Sequence, residues 1–222
     1  MMEKIKELFD SWAGTERGER MALGHDVLVN HILDRWKDDN IEYLFDAGCG
    51  NGRALSLAKM QGAKKLAGID MSDKMIAEAQ KNLPEADLKV GPMQDLSAWD
   101  NDTFSHIISI EAIYYLQDPL AALKEFRRVL KQDGKIAIAI DYYTESKASH
   151  VWKGALGFDI TMLSETEWTD LFVQAGFIDV KASRIKRTEG IKTQDEFEPS
   201  SFFPSYELYE DYIASGALLL AN

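Results

Sequence analysis

The residues best suited to holding a ligand stand in one short stretch, Asp46-Ala47-Gly48-Cys49-Gly50-Asn51-Gly52. Its glycines allow positive φ and a close approach of backbone to ligand, and the start of the helix that follows offers free N–H groups. Asp70, eighteen residues past Gly52, ends the next apolar run in Ala67-Gly68-Ile69-Asp70. An acid there can accept hydrogen bonds from both hydroxyls of a ribose. Loop and acid together predict a nucleoside ligand. A bare pair of glycines also suits a tight turn, but four features stand in register: a loop after a strand, Asp46 just ahead of the first glycine, Asp70 ending the next strand, and Asp118-Pro119 opening a later helix.

The elements that must position these residues follow from periodicity. Ile5, Leu8, Phe9 and Trp12 form one stripe of a short helix, and Leu28, Val29, Ile32, Leu33 and Trp36 form that of a second, expected over 16–37. Short apolar runs then cover 41–47, 64–70, 86–91, 104–110, 135–141 and 177–185. Between them lie helix signals. Ser72 is a cap with Pro84 as the stop, Asp118-Pro119 opens a helix that Gly134 should close, and Ser164 with Glu167 forms a capping box ahead of Gly176. Alternating strand and helix predicts an α/β fold, a doubly wound and mostly parallel sheet. The segment 188–222 reads as an acidic, aromatic insertion with a short helix near 206–215 and a last strand at 217–221.

Composition narrows the classes. With 222 residues the chain is expected to be one domain, with N-terminal helices over 1–40, a ligand-binding core over 41–187 and the insertion with the last strand over 188–222. Hydrophobic residues at 45% and charged ones at 28% exclude disorder. A net charge of −12 argues against nucleic acid and anionic membrane as partners. The lone Cys49 fits a reducing compartment and excludes multi-cysteine zinc sites. No secretory or membrane-spanning segment is evident from Met1 onward, so a cytoplasmic location is expected. His25, His31, His106 and His150 lack metal spacing, so no metal is expected.

Over 41–177 these residues resemble the class I S-adenosylmethionine-dependent methyltransferases. The family's D-x-G-x-G-x-G loop is matched by Asp46 to Gly52, and its G-x-D-x-S-x-x-M stretch by Gly68, Asp70, Ser72 and Met75. The resemblance implies a Rossmann-like seven-stranded sheet and S-adenosylmethionine as cofactor. It implies that the backbone of Asp46, Ala47, Gly48, Cys49, Gly50, Asn51 and Gly52 lies against the methionine portion, with Asp46 helping to hold the amino group. It further assigns the ribose to Asp70, near Met71 and Met75. After the third strand the family's usual Gly-Asp-Ala turn is replaced by Gly91-Pro92-Met93-Gln94-Asp95. Pro92 cannot hydrogen-bond the adenine amine, so that role passes to Gln94, to Asp95 or to neither, while Met93 packs on the ring. Glu111, after the fourth strand, falls where the family's backbone closes over the cofactor.

The resemblance implies methyl transfer by direct displacement, and the charge and motifs thin the acceptors. No Pro-Pro turn of the adenine-amine methylases is present, and Cys49 sits in the cofactor loop, badly placed for a cytosine-attacking nucleophile. A small-molecule acceptor is expected, with the protein a monomer or homodimer. Open α/β sheets bind ligands at the carboxyl ends of their strands. The acceptor should therefore meet the segment 141–152, where Tyr142, Tyr143 and His150 are the expected catalytic and binding groups, with His25 in reserve as a proton acceptor. The aromatics Phe197, Phe202, Phe203, Tyr206, Tyr209 and Tyr212 are expected to pack the insertion onto the body rather than line the pocket. Two alternatives stand beside this reading. A nicotinamide-dependent oxidoreductase is disfavoured because the third glycine comes one residue too early for G-x-G-x-x-G. A non-catalytic cofactor-binding protein of the same fold would yield no methylated product.

Overall fold

Seven apolar runs become one sheet in the computed structural model, which describes residues 2–222; Met1 lies outside it. The strands are β1 (Leu44–Ala47), β2 (Leu66–Asp70), β3 (Asp87–Val90), β4 (Phe104–Ile110), β5 (Leu130–Ile140), β6 (Lys181–Ile185) and β7 (Ala217–Ala221). Their order is β3-β2-β1-β4-β5-β7-β6, parallel except for β7, which pairs antiparallel with β5 and β6. The order reverses between β1 and β4, the switch point at which doubly wound sheets open a ligand crevice.

Helices cover both faces because successive strand residues point to opposite sides. Phe45 and Ala47 pack toward α6 (Pro119–Val129) and α8 (Glu165–Gln174), whose Leu123, Phe126, Trp168 and Phe172 are buried there. Leu44 packs toward the opposite layer of α3 (Asp26–Arg35), α4 (Arg53–Met60) and α5 (Asp73–Asn82). The expected punctuation holds at most ends. Ser72 accepts from the Met75 N–H at 3.0 Å, Asp118 accepts from the Ala121 N–H at 3.1 Å, and Ser164 with Glu167 completes the capping box. Gly176 takes φ of +94° after α8.

Two boundaries depart from the expected ones. The helix expected over 16–37 is divided into α2 (Glu16–Gly24) and α3 at His25. The His25 N–H donates to the Ala22 carbonyl to end one helix, and its carbonyl accepts from the Leu28 and Val29 N–H groups to start the next. Gly134 does not close α6. That helix ends at Val129 and the chain extends from Leu130, with an irregularity in its register between Phe104 and His106 of β4. A side chain on Gly134 would come within 2.7 Å of the Leu130 side chain and 3.0 Å of the Ser105 carbonyl, so close packing at that irregularity requires the glycine.

The N-terminal helix α1 (Met2–Trp12) lies beside α5, where Ser72 donates to Asp10 at 2.5 Å and Lys6 pairs with Asp10 at 2.6 Å and with Asp73. The short α7 (Trp152–Leu156) follows β5, and the insertion ends in α9 (Tyr206–Ser215), with Ser205 as its cap, and leads into β7.

Candidate active site

One cavity of about 1430 Å³ opens over the carboxyl ends of β1, β2, β4 and β5. α1, α2 and the start of α3 wall it on one side and α9 on another. Its lining divides into a glycine-lined end and an aromatic end.

At the glycine-lined end, Gly48, Gly50 and Gly52 all take positive φ, +82°, +50° and +81°. Each has a different neighbourhood. A Cβ on Gly48 would stand 2.5 Å from the Ala112 Cβ, and one on Gly52 would stand 3.2 Å from Ala79 and Leu83, whereas nothing lies within 4 Å of the place a Cβ would take on Gly50. The loop is therefore packed from below and open at Gly50, where a ligand can reach backbone. Asp70 fastens it: Oδ2 accepts from the Gly50 N–H at 2.9 Å and Oδ1 from the Ser72 N–H at 2.9 Å. Burial raises the Asp70 pKa against these bonds. Asp46 is buried more completely, and burial with the nearby Asp70 charge pushes its pKa up to about 8. A cation is what such a carboxyl lacks. Cys49 is a buried thiol whose pKa is raised by that burial, which removes it as a nucleophile.

Of the positions predicted for the cofactor, Asp46, Gly48, Cys49, Gly50, Asn51, Asp70, Met71, Met75, Met93, Gln94 and Glu111 line the cavity. Ala47 is fully buried in the core, and Gly52 supports the loop from beneath. Asp95 departs from the expectation: it is exposed in a separate surface groove and accepts from the Ser97 N–H at 3.1 Å. Gln94 Oε1 is buried with no hydrogen-bond partner. An orphaned acceptor beside Met93 suits an exocyclic amine, so the glycine-lined end fits an adenosyl amino acid at its ribose, ammonium and base.

The aromatic end is built from other residues than the expected ones. Tyr142 is 2% exposed and packs in the core near Tyr114 and Trp152, and Tyr143 is fully buried with its hydroxyl donating to the Gly216 carbonyl at 2.8 Å. His150 is exposed, with Nε2 2.8 Å from the Thr144 carbonyl oxygen. None of the three lines the cavity, because the chain past Asp141 turns inward under α9. His25 does line it, fixed at the α2–α3 joint, and burial lowers its pKa, so it is neutral at pH 7. Next to it in sequence, Asp26 is held by Arg53, Nε to Oδ1 at 2.9 Å.

Four of the six insertion aromatics, Phe202, Phe203, Tyr209 and Tyr212, line the cavity, contrary to the expectation that they only pack. Trp152 joins them, its indole N–H donating to the Phe202 carbonyl at 3.1 Å. Between them and β4 lies a buried polar group. Glu111, in the left-handed region at φ +52°, accepts from the Tyr114 hydroxyl at 2.9 Å and from the Asp141 N–H. Burial and the Asp141 charge hold its pKa well above the ordinary value. Asp141 accepts from both Nη atoms of Arg187, at 3.0 and 2.6 Å, and from the Tyr212 hydroxyl at 2.8 Å. Arg187 belongs to no motif, standing beside Lys186 just after β6. Among the described residues no group of three or more His, Cys, Asp or Glu side chains is gathered as metal ligands would be. No helix among them is long and apolar enough to cross a membrane.

Comparisons with known proteins bear on this geometry. A family model described as a methyltransferase domain matches residues 45–138. The 2-methyl-6-phytyl-1,4-hydroquinone methyltransferase of Arabidopsis thaliana is 28% identical over 181 residues, covering 74% of this chain and 52% of that protein. The demethylmenaquinone methyltransferase of Thermotoga maritima is 29% identical over 134 residues, covering 54% of this chain and 58% of that one. The chain thus spans about half the length of the curated relatives it matches. Among solved structures, a chain from the complex between the Haloferax volcanii Trm112 methyltransferase activator and a candidate methyltransferase superposes with a TM-score of 0.83 and 31% identity, over 96% of both chains.

Proposed function

The chain belongs to the class I S-adenosylmethionine-dependent methyltransferases, and from that premise we propose that it methylates a small, largely aromatic molecule held at the aromatic end of the cavity. The observation that carries this is the buried Asp46 and the half-buried Asp70 opening on one glycine-lined end while Tyr209, Tyr212, Phe203 and Trp152 wall the other. S-adenosylmethionine, when bound, supplies an electrophilic methyl group on a sulfonium. Asp70 takes the ribose hydroxyls, Asp46 the ammonium, and Gln94 Oε1 the adenine amine. Fixing the acceptor at near-attack distance supplies much of the rate. Neutral His25 accepts the proton of a hydroxyl acceptor, a role for which an imidazole with lowered pKa is suited at pH 7. The hydroquinone in the name of the Arabidopsis thaliana relative supports a ring-bearing acceptor.

The net charge of −12 supports a small molecule over nucleic acid, and the single buried thiol supports a cytoplasmic setting. Likeness to the Haloferax chain supports a protein activator as a second partner. Incubation of the purified protein with methyl-labelled S-adenosylmethionine and a fractionated metabolite extract tests the proposal. Label should enter a low-molecular-weight aromatic fraction; label confined to tRNA or to protein would contradict it.

A further inference from the structure

Arg187 is a cation held in place at the aromatic end, and its partners among the described residues leave part of it free. Asp141 meets the guanidinium end-on, Oδ1 to Nη1 at 3.0 Å and Oδ2 to Nη2 at 2.6 Å. A guanidinium has five N–H donors in a planar fork. The end-on pair is thus taken, while the edge formed by Nε and an outer Nη proton has no bond to the described residues. The plane cannot swing, because its carbon lies 4.6 Å from the centroid of the Tyr212 ring, and the Tyr212 hydroxyl is itself tied to Asp141 at 2.8 Å. The side chain is 11% accessible, and it lines the cavity. A largely buried cation locked by an acid on one edge and a ring on one face presents a second, two-pronged edge, the shape that matches a carboxylate.

The surroundings define the rest of the ligand. Phe203 lies 4.9 Å and Trp152 6.1 Å from Tyr212, ring centroid to ring centroid, forming a wall that suits a flat body. Lys186 and Lys192 line the same cavity as Arg187, with Glu189 between them in sequence, so the segment that carries the anchor adds two further cations and one acid to the lining.

We propose that Arg187, held by Asp141 and Tyr212, is the anchor for a carboxylate on a planar aromatic acceptor, so that the substrate is an aromatic acid. This rests on the methyltransferase reading above, and it goes further by fixing the acceptor's charge and the end by which it is gripped. The anchor lies on the insertion side of the cavity, across from the glycine loop, so the acceptor's ring would extend from Arg187 back toward His25 and the cofactor.

Calorimetry on the full chain with saturating S-adenosylhomocysteine tests it, using 3,4-dihydroxybenzoate and its uncharged twin 3,4-dihydroxybenzamide as probes. The wild type should bind the carboxylate at least tenfold more tightly than the carboxamide. Arg187→Gln should bring the two within twofold while S-adenosylhomocysteine affinity stays within twofold of wild type. Arg187→Lys, which keeps charge and stem but not the fork, should leave a preference of only a few-fold, and it serves where the glutamine variant fails to fold. A purely structural strap would lower the melting temperature in these variants without changing the ratio. Equal affinities in the wild type, no saturable binding of either probe, or a tenfold preference surviving in Arg187→Gln overturns the anchor while S-adenosylhomocysteine still binds. No binding of S-adenosylhomocysteine to the wild type would overturn the methyltransferase reading and the anchor with it.

Discussion

Asp46, next to the end of β1, and Asp70, at the end of β2, stand on neighbouring parallel strands, and burial with the charge of Asp70 pushes the Asp46 carboxyl up to about 8. Two acids on adjacent strand ends cannot both ionise at low cost without a cation between them. On the proposed function the cofactor's ammonium would meet that need, and the consequences are measurable.

The first concerns pH. Ligand binding that ionises Asp46 releases a proton, so S-adenosylhomocysteine affinity should rise from pH 6 toward pH 8, by up to about tenfold per pH unit, and flatten above it. Titrations in buffers of different ionisation enthalpy should show the released proton directly. Asp46→Asn should bind weakly, with a flat profile.

Stability of the ligand-free protein runs the other way. With the folded pKa near 8 and the unfolded one near 3.8, the protonated carboxyl stabilises the fold below about pH 4, and this is lost as pH rises through 8. Asp46→Asn should therefore melt a few degrees above wild type at pH 8.5, since about 1 kcal/mol moves a protein of this size by roughly 2–4 °C. A lower melting point at that pH would contradict the assigned burial.

Asp70→Ala removes the acceptor for the Gly50 N–H and, on the proposed function, for two ribose hydroxyls. At roughly 1.5–3 kcal/mol for bonds to a charged group, affinity should fall tenfold or more, measured by calorimetry on protein shown to be folded.

Gly48→Ala should abolish binding, because its new methyl would stand 2.5 Å from the Ala112 Cβ. Pairing it with Ala112→Gly removes that clash and leaves the 3.2 Å approach to the flexible end of Met93 and the cost of φ +82°, so part of the affinity should return. No recovery would mean that backbone conformation, rather than packing, governs the loop.

At the aromatic end, His25→Asn should lower turnover tenfold or more while cofactor affinity stays within twofold. His150→Ala should leave turnover within twofold, because that side chain is exposed and faces the Thr144 carbonyl instead of the cavity.

The sheet and the cofactor end were legible because local rules write them into the chain. Ser72, Asp118 and Ser164 mark helix starts by their own side chains, and the run Asp46 to Gly52 needs glycine for its backbone. The acceptor end obeys no such rule. Tyr142 and Tyr143 look exposed in sequence because they follow a strand end, yet the inward turn under α9 buries both, and only tertiary packing decides that. Arg187 and Tyr212 meet Asp141 from 46 and 71 residues away, and nothing local announces either meeting. The division of the early helix at His25 was hidden for a related reason: the break is made by main-chain bonds rather than by a proline.

The most direct test of the central claim is a calorimetric titration of the purified chain with S-adenosylhomocysteine, set beside one with NADH. The account predicts saturable one-to-one binding at micromolar affinity, about −8 kcal/mol, lost in Asp70→Ala, with no response to NADH. A folded wild-type protein that ignores S-adenosylhomocysteine, or one that binds NADH in its place, would contradict it.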